Sequence, residues 1–178
     1  MIQILAISGS LRAASSNLAL LKAATYLEVP GVSIKICEVV AQLPLFNPDL
    51  NPDDFPLVRE FRNQLVAANL VLISSPEYAH GVPGALKNAL DWVVATGEFM
   101  SKPVAFLYPS ARGTYMQASL AEIIRVMDAR VLNPAGDFIL LAHDGITAEE
   151  IAANPIKRDQ LTALLAKYVE QAMDVVTY

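Results

Sequence analysis

Cysteine occurs once in this chain of 178 residues, at Cys37. A lone thiol excludes an internal disulfide and a Cys-rich metal site. Its position in the strand-like run 32–39 marks it as a small buried hydrophobe rather than a nucleophile. Histidine occurs twice, at His80 and His143, without metal-ligand spacing, so no metal site is expected. Charge is sparse as well: 17% of residues are charged, the net charge is −5, and no Lys/Arg cluster stands out. That balance argues against a nucleic-acid partner. No apolar run approaches the ~18 residues of a membrane span. The opening Met1-Ile2-Gln3-Ile4-Leu5 enters a strand without a basic region or a small-residue cleavage site. The expected location is the cytoplasm, with no membrane partner.

Apolar residues are abundant by contrast, at 54%. A chain of this size forms one domain, taken here as 1–178, and buries roughly 70% of its unfolded surface. The excess is assigned to strands covered on both faces and in part to a subunit interface. Strand-like runs fall at 2–7, 32–38, 70–75, 103–108 and 130–141, the last interrupted at Pro134 and Gly136. Helical periodicity falls at 17–28, 54–68, 83–96, 114–128 and 159–176, with a short helix near 148–153. Leu18, Leu21, Ala24 and Leu27 form the apolar face of the first helix; Ile123, Val126 and Met127 form that of the fourth. Thr147 and Glu150 match a capping box. Five βα repeats imply a three-layer α/β/α sandwich. Its parallel sheet has five strands, and the flavodoxin-like order 2-1-3-4-5 fits that number.

Two loops stand out because they follow the first and third strands, which flank the crevice where such sheets bind ligands. The first is Gly9-Ser10-Leu11-Arg12-Ala13-Ala14-Ser15-Ser16-Asn17. It offers hydroxyls, one amide, one guanidinium and a helix N-terminus, and no Asp or Glu precedes Glu28. That is a site for an anion, and hydroxyls with one Arg suit a terminal monophosphate. It matches neither the P-loop nor the Gly-x-Gly-x-x-Gly fingerprint, since Gly9 stands alone. The second loop, Pro76 to Gly84, opens a helix through Pro83. Gly81 relaxes its backbone so that amides can face a planar ligand. Glu77 is read as contributing backbone rather than as a general base, His80 as solvent-facing, and Trp92 as core or interface. Lys87 and Asp91 form an i, i+4 surface pair.

A third loop, Tyr108 to Tyr115, leaves the same sheet edge. There Ser110, Gly113 and Thr114 can approach the ligand's other end; taken alone, the segment is a turn and a helix cap. The stretch from Ala41 to Pro56 carries prolines at 44, 48, 52 and 56. It is an ordered surface loop, either a plain connection or a wall of the pocket or of a dimer contact.

With these motifs in view, the chain resembles the NAD(P)H-dependent FMN reductases, a group that includes bacterial quinone, chromate and azo-dye reductases. Their Gly-Ser-Leu-Arg-x-x-Ser-x-Asn loop matches positions 9 to 17. Their Pro-Glu-Tyr-Asn-x-x-x-Pro-Gly-x-Leu-Lys-Asn-Ala-x-Asp-Trp segment matches 76 to 92, with Ala79 in place of Asn. Segment 43–50 is similar to the family's loop after strand two. The third loop lacks the frequent Gly-Gly, since Thr114 follows Gly113. The resemblance implies that Ser10, Arg12, Ser15 and Asn17 hold an FMN phosphate. It also implies that Pro76, Glu77, Tyr78, Ala79 and Gly81 line the isoalloxazine ring, with Ser110 near its pyrimidine side. NAD(P)H is the implied co-substrate, a quinone or similar small molecule the acceptor, and a homodimer or homotetramer the assembly. No catalytic side chain is expected, because the cofactor carries the chemistry. The competing reading is an FMN-binding electron carrier or redox-responsive protein without turnover of its own.

Overall fold

The computed structural model describes residues 1–143 and 145–174. In chain order the elements are β1 (Ile2–Ser8), α1 (Ser16–Thr25), β2 (Val32–Ile36), α2 (Pro56–Ala67), β3 (Leu70–Ser74), α3 (Gly84–Asp91) and β4 (Pro103–Tyr108). They continue with α4 (Thr114–Val126), β5 (Arg130–Val131), β6 (Asp137–Phe138), α5 (Ala148–Ala153) and α6 (Pro155–Met173). All sheet pairings are parallel, in the order β2-β1-β3-β4-β5, and β6 pairs with β4 beyond β5. The fifth place in the sheet is thus held by two short strands, separated at Asn133–Gly136 by a turn whose Gly136 N–H donates to the Asn133 carbonyl.

Alternation along the central strands sends side chains to two separate layers. Leu5, Ile7, Val71, Ile73, Val104 and Phe106 face the core under α2, α3 and α4. Ile4, Ala6, Leu70, Leu72, Ala105 and Leu107 face the core under α1, α5 and α6. Every residue of β3 is buried, as a strand covered on both faces requires. Edge strand β2 departs from the expected continuous run. Val32, Ile34 and Ile36 pack inward, while Ser33 and Lys35 are exposed, so Lys35 sits on an unroofed edge face.

Three helical expectations are corrected. On α4 and its C-cap, Met127 is buried and Ile123 packs against the core as expected, joined by Met116, Leu120, Ala121 and Ile124, whereas Val126 is 68% exposed. Helix α3 ends at Asp91, because Val93 and Val94 donate three residues back, to Leu90 and Asp91, and tighten the chain. Helix α6 begins earlier than 159, since Asn154 caps it by accepting from Lys157 N–H and Pro155 opens it; positions 175–176 of the expected helix lie outside the described residues. The short α5 carries the expected capping box between Thr147 and Glu150. On α1, Leu21 and Ala24 are buried as expected, joined by Leu20 and Ala23.

The proline-rich segment is ordered by α3. Asn88 Nδ2 and Trp92 Nε1 both donate to the Pro44 carbonyl, at 2.9 and 2.7 Å, and Phe46 N–H donates to Asn88 Oδ1 at 2.8 Å. Phe46 and Phe55 pack on the buried Trp92 ring. Cys37 is buried just past β2, where desolvation pushes its thiol up to about 11.

Candidate functional site

The first loop is ordered from within by its own hydroxyls. Ser8 Oγ accepts from Ser10 N–H at 3.2 Å and donates to the Ser10 carbonyl, and Ser10 Oγ accepts from Arg12 N–H at 3.3 Å. Ser15 caps α1 by accepting from Leu18 N–H, and no acidic residue occupies the first turn. Its hydroxyl proton therefore remains available to an anion. Ser74 Oγ donates to Asn17 Oδ1 at 2.9 Å, which leaves the Asn17 NH₂ as donor. Arg12 is exposed, and its guanidinium has no ion-pair partner among the described residues.

Loops one and two are fused at their roots. Gly9 N–H donates to the Ser74 carbonyl at 2.9 Å, and a Cβ at Gly9 would lie 2.1 Å from Ser75 Oγ. Only glycine permits that approach. Farther out, Tyr78 and Gly81 exchange backbone hydrogen bonds of 3.1 and 2.9 Å around Ala79 and His80. Both central residues are left-handed, with φ 49° and 59°, as in a two-residue hairpin turn. This spends the Tyr78 and Gly81 amides inside the turn. The amides of Glu77, Ala79 and His80 donate to no protein group among the described residues.

Glu77 joins loop two to loop three. Its Oε2 accepts from Met116 N–H on the first turn of α4 at 2.9 Å, and its Oε1 lies 3.3 Å from His80 Nδ1. Gly113 is left-handed at φ 92°, and a Cβ there would lie 3.1 Å from Glu77 Cβ. Arg112 N–H donates to Ser110 Oγ, and buried Gln117 donates through Nε2 to the Arg112 carbonyl, both at 3.1 Å.

These three loops enclose a cleft of about 380 Å³, within the usual range for a small-molecule site. Of the residues expected there, Ser10, Arg12, Ser15, Asn17, Pro76, Glu77, Tyr78, Ser110 and Gly113 line it. Ala79 and Gly81 do not; they form the tip of the turn behind Tyr78. Sequence reasoning left Ser75, Tyr108 and Arg112 without a role, yet all three line the cleft. The strand-end position of Ser75 and Tyr108 was a usable signal for two of them. Tyr108 is buried, its hydroxyl lacks a hydrogen-bond partner among the described residues, and desolvation raises its pKa. No residue of 41–56 lines the cleft, so in this chain the segment straps α3 rather than walling the pocket. A larger groove, about 440 Å³, lies between α2 and the exposed face of β2, remote from all three loops. Size alone gives it no chemistry.

The donor set fits FMN. Hydroxyls, an amide NH₂ and a free guanidinium converge at the N-terminus of α1, suited to a phosphate dianion. Among the described residues the single carboxylate lining the cleft, that of Glu77, is occupied by Met116 N–H rather than opposing that charge. Among the described residues, no group of His, Cys, Asp and Glu could hold a metal ion, and no helix is long and apolar enough to cross a membrane.

A parallel 2-1-3-4-5 sheet with this three-loop cleft defines a flavodoxin-like protein. The sequence pattern of the NADPH-dependent FMN reductase family matches residues 2–138. An NAD(P)H-dependent FMN reductase of Pseudomonas aeruginosa is 37% identical over 173 residues, covering 92% of this chain and 93% of its own. A quinone reductase of Escherichia coli K12 is 30% identical over 179 residues, with 95% and 94% coverage. In fold, the chain is similar to the NAD(P)H:acceptor oxidoreductase FerB of Paracoccus denitrificans, with a TM-score of 0.75 at 23% identity and 98% coverage of each chain. The chain belongs to the NADPH-dependent FMN reductase family. It is accordingly an oxidoreductase, with FMN as cofactor and NAD(P)H as reductant.

Proposed function

We propose that this protein passes reducing equivalents from NAD(P)H to a quinone-type acceptor, both substrates using one open face of the cleft in turn. The observation that carries this reading is the convergence of a hydroxyl- and arginine-bearing loop and two backbone-rich loops on one cleft. Bound FMN supplies hydride acceptance and donation at its N5. Ser10, Arg12, Ser15 and Asn17 hold the phosphate. Pro76, Tyr78 and Ser110 flank the ring, and the unspent amide of Glu77, which lines the cleft, is a donor for negative charge developing there. Glu77 orients α4 and moves no proton.

Acceptor identity is weakly encoded, because an open face recognises chiefly flatness. Quinone is favoured because the Escherichia coli relative is a quinone reductase. Steady-state kinetics with NAD(P)H and a quinone should give parallel double-reciprocal lines, with each substrate inhibiting competitively at high concentration. Intersecting lines would require a ternary complex and a second pocket. A yellow protein that oxidises no NAD(P)H would instead be a carrier.

A homodimer or homotetramer is part of the proposal. The groove between α3 and α4 exposes Val94 and Val126, at 48% and 68%, beside Leu90, Ile123 and Met127. Such an apolar strip on two neighbouring helices is suited to a second copy of the chain.

A further inference from the structure

The cleft does not end at loop three. A second groove, of about 420 Å³, shares Ser16, Pro109, Ser110 and Arg112 with it and continues to Leu140, Leu141 and His143 after β6. Its walls combine apolar surface with positive charge: Leu140 is 57% exposed, and no carboxylate lines the groove among the described residues. Arg112 stands where the two grooves meet. Its backbone is fixed on both sides, by Ser110 Oγ and by Gln117 Nε2, and the next residue is the left-handed Gly113. Its guanidinium makes no hydrogen bond or ion pair among the described residues. A root held in place with an unspent head is the arrangement of an anion anchor, since little order is left to impose on binding.

FMN carries one phosphate, and the cradle at α1 with Arg12 accounts for it. Arg112, exposed on another wall, is a second cation without a protein partner among the described residues and is placed to receive a second anion. The only other ligand of the reaction with phosphates remote from its reacting ring is the reduced nicotinamide nucleotide. We propose that this second groove receives the phosphate-bearing adenosine end of that nucleotide, with Arg112 binding an adenosine-side phosphate and Leu140 and Leu141 offering apolar surface to the adenosine. This rests on the oxidoreductase reading above and names where that reading's reductant is selected.

The test uses FMN-loaded protein. Calorimetric titration with adenosine 2′,5′-bisphosphate should show binding that Arg112→Ala weakens by roughly tenfold or more, the loss of a charge-assisted contact. Arg112→Lys should retain most of it. Leu140→Glu, at an exposed position, should weaken it by like-charge repulsion. FMN affinity should be unchanged in Leu140→Glu, which lies outside the FMN cleft. In turnover, Arg112→Ala should raise KM for NADPH while leaving KM for reduced nicotinamide mononucleotide, which lacks the adenosine half, unaltered. Equal losses with NADPH and NADH assign the pyrophosphate; loss with NADPH alone assigns the 2′-phosphate. Titrations unmoved by Arg112→Ala and Leu140→Glu overturn the proposal, as does an equal KM rise for the mononucleotide. Failure of the wild-type protein to oxidise any reduced nicotinamide would instead overturn the oxidoreductase reading, while the titration still reports on the groove.

Discussion

Glu77 Oε2 accepts a 2.9 Å hydrogen bond from the backbone N–H of Met116, so the second loop of the cleft caps the helix that follows the third. A carboxylate at a helix N-terminus meets an unsatisfied amide and the positive end of the helix dipole. The contact explains why an acidic residue is tolerated in a cleft otherwise arranged for anions. Glu77→Gln keeps the shape and loses the charge. We expect about 0.5–1.5 kcal/mol of lost stability by denaturant unfolding. Turnover should stay within about tenfold, because a general acid–base residue contributes ~10²–10⁴. Collapse of turnover with FMN still bound would make Glu77 a catalytic residue.

Arg12→Ala should weaken FMN binding by roughly 10- to 100-fold, measured by fluorescence quenching. Riboflavin lacks the phosphate, so its weaker binding should be nearly indifferent to the change. Equal loss of both ligands would move Arg12 away from the phosphate.

Ala79 occupies a left-handed turn position at φ 49°, where its family carries Asn. That conformation costs an ordinary L-residue roughly 1–2 kcal/mol, and Asn tolerates it better. Ala79→Asn should therefore stabilise the protein by about 0.5–1 kcal/mol, read as a rise in Tm of about 1–4 °C. No rise would show that the turn relaxes around alanine at little cost.

Burial holds the Cys37 thiol protonated up to about 11, against an ordinary value of 9.0. Between those values the unfolded chain has lost a proton that the folded chain retains. Stability is therefore full below pH 9 and falls as pH rises toward 11, by about 2–3 kcal/mol in all from this group. Cys37→Ala should flatten that part of the stability profile relative to the native protein. At pH 8 the folded protein should resist thiol reagents until denaturant is added.

Val126→Glu should reduce the assembly to monomers by light scattering, with circular dichroism unchanged, because the side chain is 68% exposed and supports no core. An unaltered assembly would place the interface elsewhere.

The strands that build the site were legible because β1, β3 and β4 are unbroken apolar runs, and a run of that kind has one interpretation when helices lie between. The clustering of hydroxyls and an arginine on one side of the cleft was legible too, since Ser10, Arg12, Ser15 and Asn17 are close in sequence and precede or open one helix. Periodicity misplaced Val126 on α4, because it is as apolar as its neighbours Ile123 and Met127 and hydropathy does not separate a core contact from an exposed position. Arg112 was passed over for a geometric reason: the groove it shares with Leu140 and Leu141, some thirty residues later, forms only when the β6 return brings them beside it. Glu77 was read as scaffold from the sequence, but its partner Met116 on α4 belongs to another loop, and no local pattern joins the two.

The fusion of Gly9 with Ser74 and Ser75 reaches beyond packing. The cradle springs from the end of β1 and the ring platform from the end of β3, strands paired Ser8 to Ser74. The span between the two ends of the site is therefore measured out by sheet register, not by the length or composition of either loop. Like the graduations on a ruler, it does not change when the surfaces attached to it do. Loop chemistry is free to drift, as at Ala79 and Thr114, while the length of molecule that fits stays constant.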